Sequence, residues 1–193
     1  MKQYCRVKNT PQRLILLITL SFVGHLSFGQ NDGPKEITPQ IVQNLKADIE
    51  KQIPTFKKLL SKKDFTDEQI EFSLDTFRIE KLVSKRMDID YSTVGMNTTV
   101  EEKTTSYDKL MNKYYIKLLK ILKPEDQKVL INAQRAWLIY RDAEAKLIET
   151  MTKNEYSGGG TIQSNIAVGS YAGLVVTRTI KIFHYYDDAV NNK

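Results

Sequence analysis

The stretch AQRAWLIYRDA occupies residues 133–143 and contains Trp137, the only tryptophan of this 193-residue chain. At about 100° of rotation per residue, the apolar side chains in and around it fall on one side of a helix: Leu130, Ala133, Trp137, Tyr140, Ile148 and Met151. This pattern predicts an amphipathic helix whose aromatic residues occupy the centre of a core face.

Long polar side chains border this apolar stripe. Gln134 and Arg141 flank it, whereas Arg135 and Asp142 lie seven residues apart on the far side of the same helix. We expect a second helix or a partner to cover Arg135 and Asp142. The alternative is a solvated ion pair, which contributes little to stability.

The neighbouring helices offer partners for these polar side chains. Four residues share one face of the preceding helix: Asp108, Met111, Asn112 and Tyr115. The aspartate and asparagine are predicted to form an interhelical hydrogen-bond network with Arg135 or Arg141. In the last helix, Arg178 is a further candidate partner for Asp108 or Asp142. Gly169 and Gly173 of the same helix are predicted to let a neighbouring helix approach closely inside the core.

Helix-start signals divide the rest of the chain. Thr38 precedes Pro39, and Thr66 with Gln69 matches a capping box, so helices are predicted from about these positions. Pro54 is expected to bend or end the first of them. Further helices are predicted over residues 99–122, 124–152 and 162–187, with loops at residues 88–100 and 157–160. Because no segment alternates with period two, the sequence predicts an all-α, bundle-like domain of four to five helices.

Residues 1–29 have the composition of a secretory signal peptide. Four basic residues and no acidic ones precede an apolar run from Leu14 to Phe28, which ends in the small-x-small exit Ser27-Phe28-Gly29. The run is interrupted and shorter than the roughly 20 apolar residues that span a membrane. We therefore predict cleavage before Gln30, no stable membrane anchor afterwards, and a periplasmic or secreted protein.

Cleavage changes the charge balance of the chain. The predicted signal peptide contains four of the 29 basic residues and none of the 23 acidic ones, so its removal lowers the formal net charge from +6 to +2. A nucleic-acid partner needs a concentrated basic face, and we predict no such partner. The single cysteine, Cys5, is removed with the signal peptide, so the mature chain depends on packing without a disulfide.

Sequence motifs of catalysis are missing. The chain contains no phosphate-binding loop, dinucleotide-binding glycine motif, zinc-protease motif or nucleophile elbow. The glycines at residues 158–160 predict a helix break. His184, the only histidine of the mature chain, lies among aromatic residues and is interpreted as structural. We predict no catalytic, cofactor-binding or metal-binding residues, no cofactor and no enzymatic activity.

The order of these motifs resembles the LprI-like lysozyme-inhibitor domain family. The resemblance covers about residues 100–187, and its motif residues in this chain are Asp108, Asn112, Tyr115, Gln134, Arg135, Trp137, Tyr140, Arg141, Asp142 and Arg178. It implies a small, exported, helical protein, with lysozyme inhibition attributed to the family's namesake. Residues 30–99 lie outside the resemblance and are predicted to form an N-terminal helical extension.

The favoured function is therefore an exported, non-enzymatic helical binding domain that inhibits a lysozyme. The alternative is an envelope interaction module that binds another protein or a cell-wall component and has no effect on lysozyme. The loops at residues 88–100 and 157–160 are candidate contact surfaces. The motif residues themselves are predicted to support the fold, so that Trp137→Ala and Asp142→Ala both lower the melting temperature.

Overall fold

The computed structural model of the protein describes residues 33–191, and the predicted signal peptide lies outside these residues. Helices follow one another along this part of the chain: α1 (Pro39–Leu60), α2 (Asp67–Ile89), α3 (Thr93–Ile121), α4 (Pro124–Met151), the single turn α5 (Asn154–Ser157) and α6 (Ile162–Asn191). Residues 33–191 contain no strand, which confirms the predicted all-α fold.

The predicted starts of α1 and α2 are confirmed. The Thr38 hydroxyl accepts a hydrogen bond from the Ile41 N–H at 3.3 Å. Thr66 and Gln69 form a reciprocal capping box, in which each side chain accepts from the other residue's backbone N–H. Pro54 does not end α1, which continues past it.

The predicted loop over residues 88–100 is wrong, because most of it belongs to α2 and α3. Its polar residues instead cap α3: the Ser92 hydroxyl accepts a hydrogen bond from the Gly95 N–H at 3.0 Å and donates one to Asp90 at 2.6 Å. Gly95 permits this arrangement, since a side chain there would overlap the Asp90 carboxylate. Thr99 is therefore not a helix start and lies buried within α3.

α3 and α6 run parallel and side by side, and we call their contact the α3–α6 seam. Asn165, near the start of α6, donates to Asn97, near the start of α3, at 2.9 Å. Further along both helices, the Thr179 hydroxyl donates to the Tyr107 carbonyl at 3.1 Å. α4, which lies between α3 and α6 in the sequence, runs antiparallel to both of them. α2 is antiparallel to α3, and α1 and α2 form a helical hairpin.

The core of the protein lies in this seam. Its buried side chains come mainly from α3 and α6: Tyr107, Leu110, Met111, Tyr114, Leu118, Val175, Ile182 and Phe183. Phe72 of α2 stacks on Phe183 with ring centroids 3.9 Å apart, and Tyr114 meets Phe183 edge-on at 5.0 Å. Because these side chains are almost completely removed from water, the seam supplies the largest hydrophobic contribution to stability.

A row of ion pairs joins α2 to α3 beside the core. Lys113 lies 2.8 Å from Glu71 and 2.5 Å from Asp75. Lys117 also pairs with Glu71. Partial burial favours the neutral carboxyl of Glu71, but the hydrogen bonds from both lysines outweigh it and hold the pKa of this carboxyl below its ordinary range. Burial likewise disfavours the charged amine of Lys113, yet its two carboxylate partners raise its pKa.

α4 contributes little to this core. Leu130 is its one buried residue, and several of its large apolar side chains face solvent: Val129, Leu138, Ile139, Tyr140, Leu147 and Met151. The predicted core face of α4 is correct only in part: Leu130 is buried and Trp137 packs against the core, but Tyr140, placed at its centre, is 51% exposed. The face of α4 that meets α6 also includes a polar side chain, Gln134.

The face of α6 that contains Gly169 and Gly173 is not closely packed within residues 33–191. Gly169 and Gly173 are exposed, and a Cβ atom at either position would have no atom within 4 Å. The prediction that a neighbouring helix approaches these glycines in the core is therefore wrong. By length and composition alone α6 could cross a membrane, but core helices pass the same test, and the inner face of α6 forms the seam.

Candidate functional site

The motif residues of α4 divide into two sets. One set is partly buried and faces α3 and α6: Gln134, Trp137 and Arg141. The other set is exposed: Arg135, Tyr140 and Asp142. The first set follows the spacing of three and four residues that defines one helical face, so the inward face of α4 contains Trp137 of the predicted stripe together with the two polar side chains predicted to flank it.

Gln134 and Arg178 connect α4 to the seam. Arg178 Nε donates to Gln134 Oε1 at 3.0 Å, and Gln134 Nε2 lies 3.6 Å from the sulfur of Met111 on α3. The guanidinium carbons of Arg178 and Arg141 lie 5.7 Å and 5.5 Å from the centre of the Trp137 ring. The tryptophan therefore contacts two cations, and a neutral amide, not an acid, is the hydrogen-bond partner of Arg178.

The predicted network between the arginines of α4 and the polar residues of α3 takes a different form. Arg141 bonds its own neighbour in sequence, with Nη2 2.7 Å from Asp142 Oδ1. On α3, Asn112 donates to Asp108 of the same helix at 3.3 Å. Arg135 is exposed. The physical reason is that an open groove lies between α3 and α4 at this level, and Asp108, Asn112 and Arg135 all line it without bonding across it.

A neighbouring groove, which we call the inner groove, has a volume of about 670 Å³ and opens between α3, α4 and α6. Apolar side chains make up much of its lining: Ala145, Ile148, Ala167, Val168 and Val175. Its charged lining residues are Glu101, Asp108, Arg141 and Glu149. Because three carboxylates face one guanidinium, the charge of the groove is net negative.

Arg141 is the single cation among the lining residues of the inner groove. Burial disfavours its charged form, but the hydrogen bond to Asp142, with Tyr171 and Asp108 nearby, outweighs burial and raises its pKa. The lining contains no His or Cys, and within residues 33–191 no group of three or more His, Cys, Asp or Glu is placed to hold a metal ion. The arrangement suits binding of an amphipathic, cationic segment.

The loop at residues 157–160 adjoins one end of the inner groove. The Ser157 hydroxyl donates to the carbonyl oxygen of Thr152, a lining residue, at 3.1 Å. The three glycines have φ angles of 78°, 80° and 93°, which L-residues rarely adopt, so the predicted helix break is confirmed. The Gln163 side chain lies 3.4 Å from two of the loop's carbonyl oxygens, which gives the loop a defined conformation.

Sequence reasoning missed part of this groove. Glu101, Glu149 and Tyr171 line it but belong to no motif that we singled out. The one signal for Glu101 is its spacing of seven residues from Asp108, which places both on one face of α3. Tyr115, expected in the polar network, packs against the core cluster and also lines the groove that contains Asp108 and Arg135.

Residues 84–181, just over half of the chain, match the family described as Lysozyme inhibitor LprI. The chain belongs to the LprI family. The resemblance inferred from the motifs is thereby confirmed, and the match contains every residue that lines the inner groove. No curated protein and no solved structure matches the chain significantly.

The LprI match begins in the last turns of α2, so α1 and most of α2 lie outside it. These two helices nevertheless belong to the same compact unit as the rest of the described chain. The predicted division at residue 99 falls inside α3. A separate N-terminal extension, ending before the LprI region, stays a prediction.

Proposed function

We propose that the protein inhibits a lysozyme by binding it at the inner groove and covering its substrate cleft. One observation carries this proposal: the region that matches an inhibitor family contains the whole lining of an open groove with a net negative charge. Such a groove is built for binding, because its lining offers apolar area and carboxylates but no nucleophile paired with a histidine base.

The charges of the inner groove suit a basic partner. Glu101, Asp108 and Glu149 outnumber Arg141 on its lining, and many lysozymes are basic. Complementary charges steer association and fix the orientation of the bound partner. The small net positive charge of the mature chain hides this asymmetry, because lysines concentrate elsewhere, for example at residues 57–63.

Binding alone is sufficient for inhibition. Hydrolysis by lysozyme depends on two carboxyl groups that flank the bond to be cleaved, so the cleft must admit a sugar chain. A rigid helical domain docked across the cleft excludes that chain without any chemistry of its own. The loop at residues 157–160 has a defined conformation and adjoins the inner groove, and it is the segment that we expect to enter the cleft.

Inhibition places the protein outside the cytoplasm, where lysozyme meets the cell wall. The signal peptide predicted at residues 1–29 supplies that export, and we propose a periplasmic or secreted location. Intact-mass measurement on protein recovered from the periplasm and the medium tests it. We expect a mature chain beginning at Gln30, and a membrane-bound species that retains residues 1–29 would contradict it.

The inhibition itself is tested by turbidity assays of cell-wall lysis with the purified protein and several lysozymes. The decisive variant combines Glu101→Gln, Asp108→Asn and Glu149→Gln, which removes the groove's negative charge while keeping side-chain volume. We expect inhibition to weaken by about tenfold, since three partly exposed charges at about 0.5 kcal/mol each give that ratio. The difference in inhibition between the unmodified protein and this variant should be smaller at high salt, because salt already screens the three charges of the unmodified protein.

A matched control removes three exposed carboxylates that do not line the inner groove: Glu36→Gln, Glu125→Gln and Asp126→Asn. It changes the net charge equally, so we expect its inhibition to stay close to that of the unmodified protein. Equal inhibition by both triple variants would place the contact elsewhere on the surface. Undiminished lysis at large molar excess of the unmodified protein would reject inhibition itself.

The exposed apolar side chains of α4 favour a second function, an envelope protein-interaction module. Ile139 is 73% exposed, and Leu147 and Met151 are also exposed along the helix. A helix with several exposed apolar side chains is typical of a surface that binds another protein. Co-purification of a partner that Leu147→Asp releases, with no effect on lysozyme, would support this function over inhibition.

A further inference from the structure

A second groove opens between α4 and α6, and we call it the outer groove. It has a volume of about 430 Å³ and shares no lining residue with the inner groove. Its lining combines two aromatic side chains, two cations and two aliphatic hydroxyls: Trp137, Tyr140, Arg178, Lys181, Ser170 and Thr177. A volume in this range accommodates a ligand the size of one or two sugar rings.

The two cations of the outer groove have no counter-ion in the described chain. Arg178 donates to the neutral amide of Gln134, and Lys181 lies with its amine 4.7 Å from the Tyr185 ring. None of the ion pairs within residues 33–191 includes either residue. In addition, Nη2 of Arg178 is buried and has no hydrogen-bond partner.

An uncompensated, half-buried arginine is costly for a folded protein. Burial lowers the pKa of Arg178, because no nearby carboxylate offsets the loss of solvation; Tyr185 alone opposes it. The usual structural remedy is an acidic neighbour. Here the groove remains open beside the cation instead, so a bound anion can supply the missing charge.

The walls of the outer groove show what the rest of the ligand is like. Tyr140 and Trp137 offer aromatic surface, and Ser170 and Thr177 each offer a hydroxyl that both donates and accepts. Gly173 leaves open space at the groove, since a Cβ atom there would meet nothing within 4 Å. A sugar ring has matching chemistry, because it presents C–H groups on its faces and hydroxyls at its edge.

We propose that the outer groove binds an anionic saccharide. The anion, a carboxylate or a phosphate on the sugar, lies between Arg178 and Lys181, and the sugar ring lies against the aromatic wall with its hydroxyls bonded to Ser170 and Thr177. The site is independent of lysozyme binding, because the inner groove and its charges are not part of it.

The test follows the backbone amide of Gly173 and the Nε–H of Arg178 by NMR during titration with defined sugars. N-acetylmuramic acid carries a carboxylate, N-acetylglucosamine 6-phosphate carries a phosphate, and N-acetylglucosamine is the neutral counterpart. We expect saturable shifts at both signals with one or both anionic sugars, and binding at least about tenfold weaker for the neutral sugar. Which anionic sugar binds more tightly identifies the anion.

Two variants separate binding from folding. Gly173→Leu fills the groove and replaces a helical glycine by a better helix former, so it should abolish the shift at Arg178 while the melting temperature stays equal or rises. Lys181→Gln should weaken binding by about tenfold through loss of a charge-assisted hydrogen bond. Lys109→Gln, on the exposed surface of α3, removes the same charge elsewhere and should have no effect.

Three results would overturn the proposal. Equal binding of neutral and anionic sugars would remove the role of the two cations. Equal binding of inorganic phosphate and the sugar phosphate would remove the role of the sugar ring. Unchanged binding in Gly173→Leu would place the ligand outside the outer groove. Lysozyme inhibition by Gly173→Leu should equal that of the unmodified protein, so failure here leaves the proposed inhibition untouched, and the reverse also holds.

Discussion

The α3–α6 seam and α4 differ in how burial relates to the distinctiveness of their sequences. The seam is built from common leucine, isoleucine, valine and tyrosine residues that are almost fully buried, whereas α4 contains the most distinctive motif of the chain and has one buried residue. Several apolar residue types of similar volume satisfy a core position, but a groove that binds a partner needs particular polar groups. The motif residues are all half-buried or exposed, whereas the buried residues that stabilise the seam form no distinctive motif.

The sharpest test of this contrast replaces one aliphatic side chain in each region. Ile182 is fully buried in the seam, whereas Leu147 of α4 is 52% exposed. We expect Ile182→Ala to lower the free energy of unfolding by about 2–5 kcal/mol and Leu147→Ala to change it by less than about 0.5 kcal/mol. Chemical denaturation measures both. Comparable losses would mean that α4 is a core element after all.

A second test divides the motif itself. Trp137 is partly buried against Arg141 and Arg178, whereas the Asp142 side chain is 63% exposed and bonds only its neighbour Arg141. We expect Trp137→Ala to cost about 2 kcal/mol and Asp142→Ala less than about 0.5 kcal/mol. This separates two variants that the sequence alone predicted to behave alike.

Thermal melting measures the pair, with Trp137→Phe as the control that keeps an aromatic ring. That control should recover most of the stability lost in Trp137→Ala. If Asp142→Ala melted as low as Trp137→Ala, the exposed side of α4 would have to be covered in solution, and the motif would support the fold on both faces.

The smallest expected effect concerns the ion pairs between α2 and α3. The pKa of Glu71 is lowered in the folded protein, so its contribution to stability is present above its unfolded-state pKa and is lost as pH falls through the folded-state pKa. The stability difference between the unmodified protein and Glu71→Gln should therefore shrink between about pH 6 and about pH 3. Its size should stay below about 1 kcal/mol, because the Glu71 side chain is 41% exposed.

Melting curves across this pH range measure the effect, with Glu36→Gln as the control in the segment before α1. Lys113 has the opposite pH dependence. Its pKa is raised in the folded protein, so its contribution to stability persists through neutral pH and is lost only as pH rises through the folded-state pKa. A Glu71→Gln difference that is constant with pH would show that the carboxylate stabilises by packing alone.

Helix type and most helix boundaries were predictable, because caps and periodicity are local. Thr66 with Gln69 and the glycines at 158–160 acted as the sequence indicated. The start of α3 was not predictable in the same way. Ser92 and Asp90 have the composition of a loop, and they become a cap only because Gly95 leaves room for the Asp90 carboxylate.

The candidate site was less predictable, since it depends on how far helices stand apart. A helical repeat fixes which residues share a face, but it does not fix which face is buried. For α4 the predicted stripe contains both Trp137 and Tyr140, whereas the structure turns only Trp137 toward the core and leaves Tyr140 exposed. The prediction assumed that large apolar side chains are buried, but several on α4, such as Ile139, are exposed.

The parallel arrangement of α3 and α6 also determines how the chain folds in time. Tyr107 and Thr179, which meet in the seam, are 72 residues apart in sequence. The intervening chain, which includes α4 and the glycine loop, must therefore form a long closed loop before the core is complete. That closure costs chain entropy before burial compensates it. Hairpins between neighbouring helices should form early, and seam formation should limit the folding rate. Cutting the chain at residues 158–160 would convert the seam into an interface between two fragments, whose assembly would depend on their concentration.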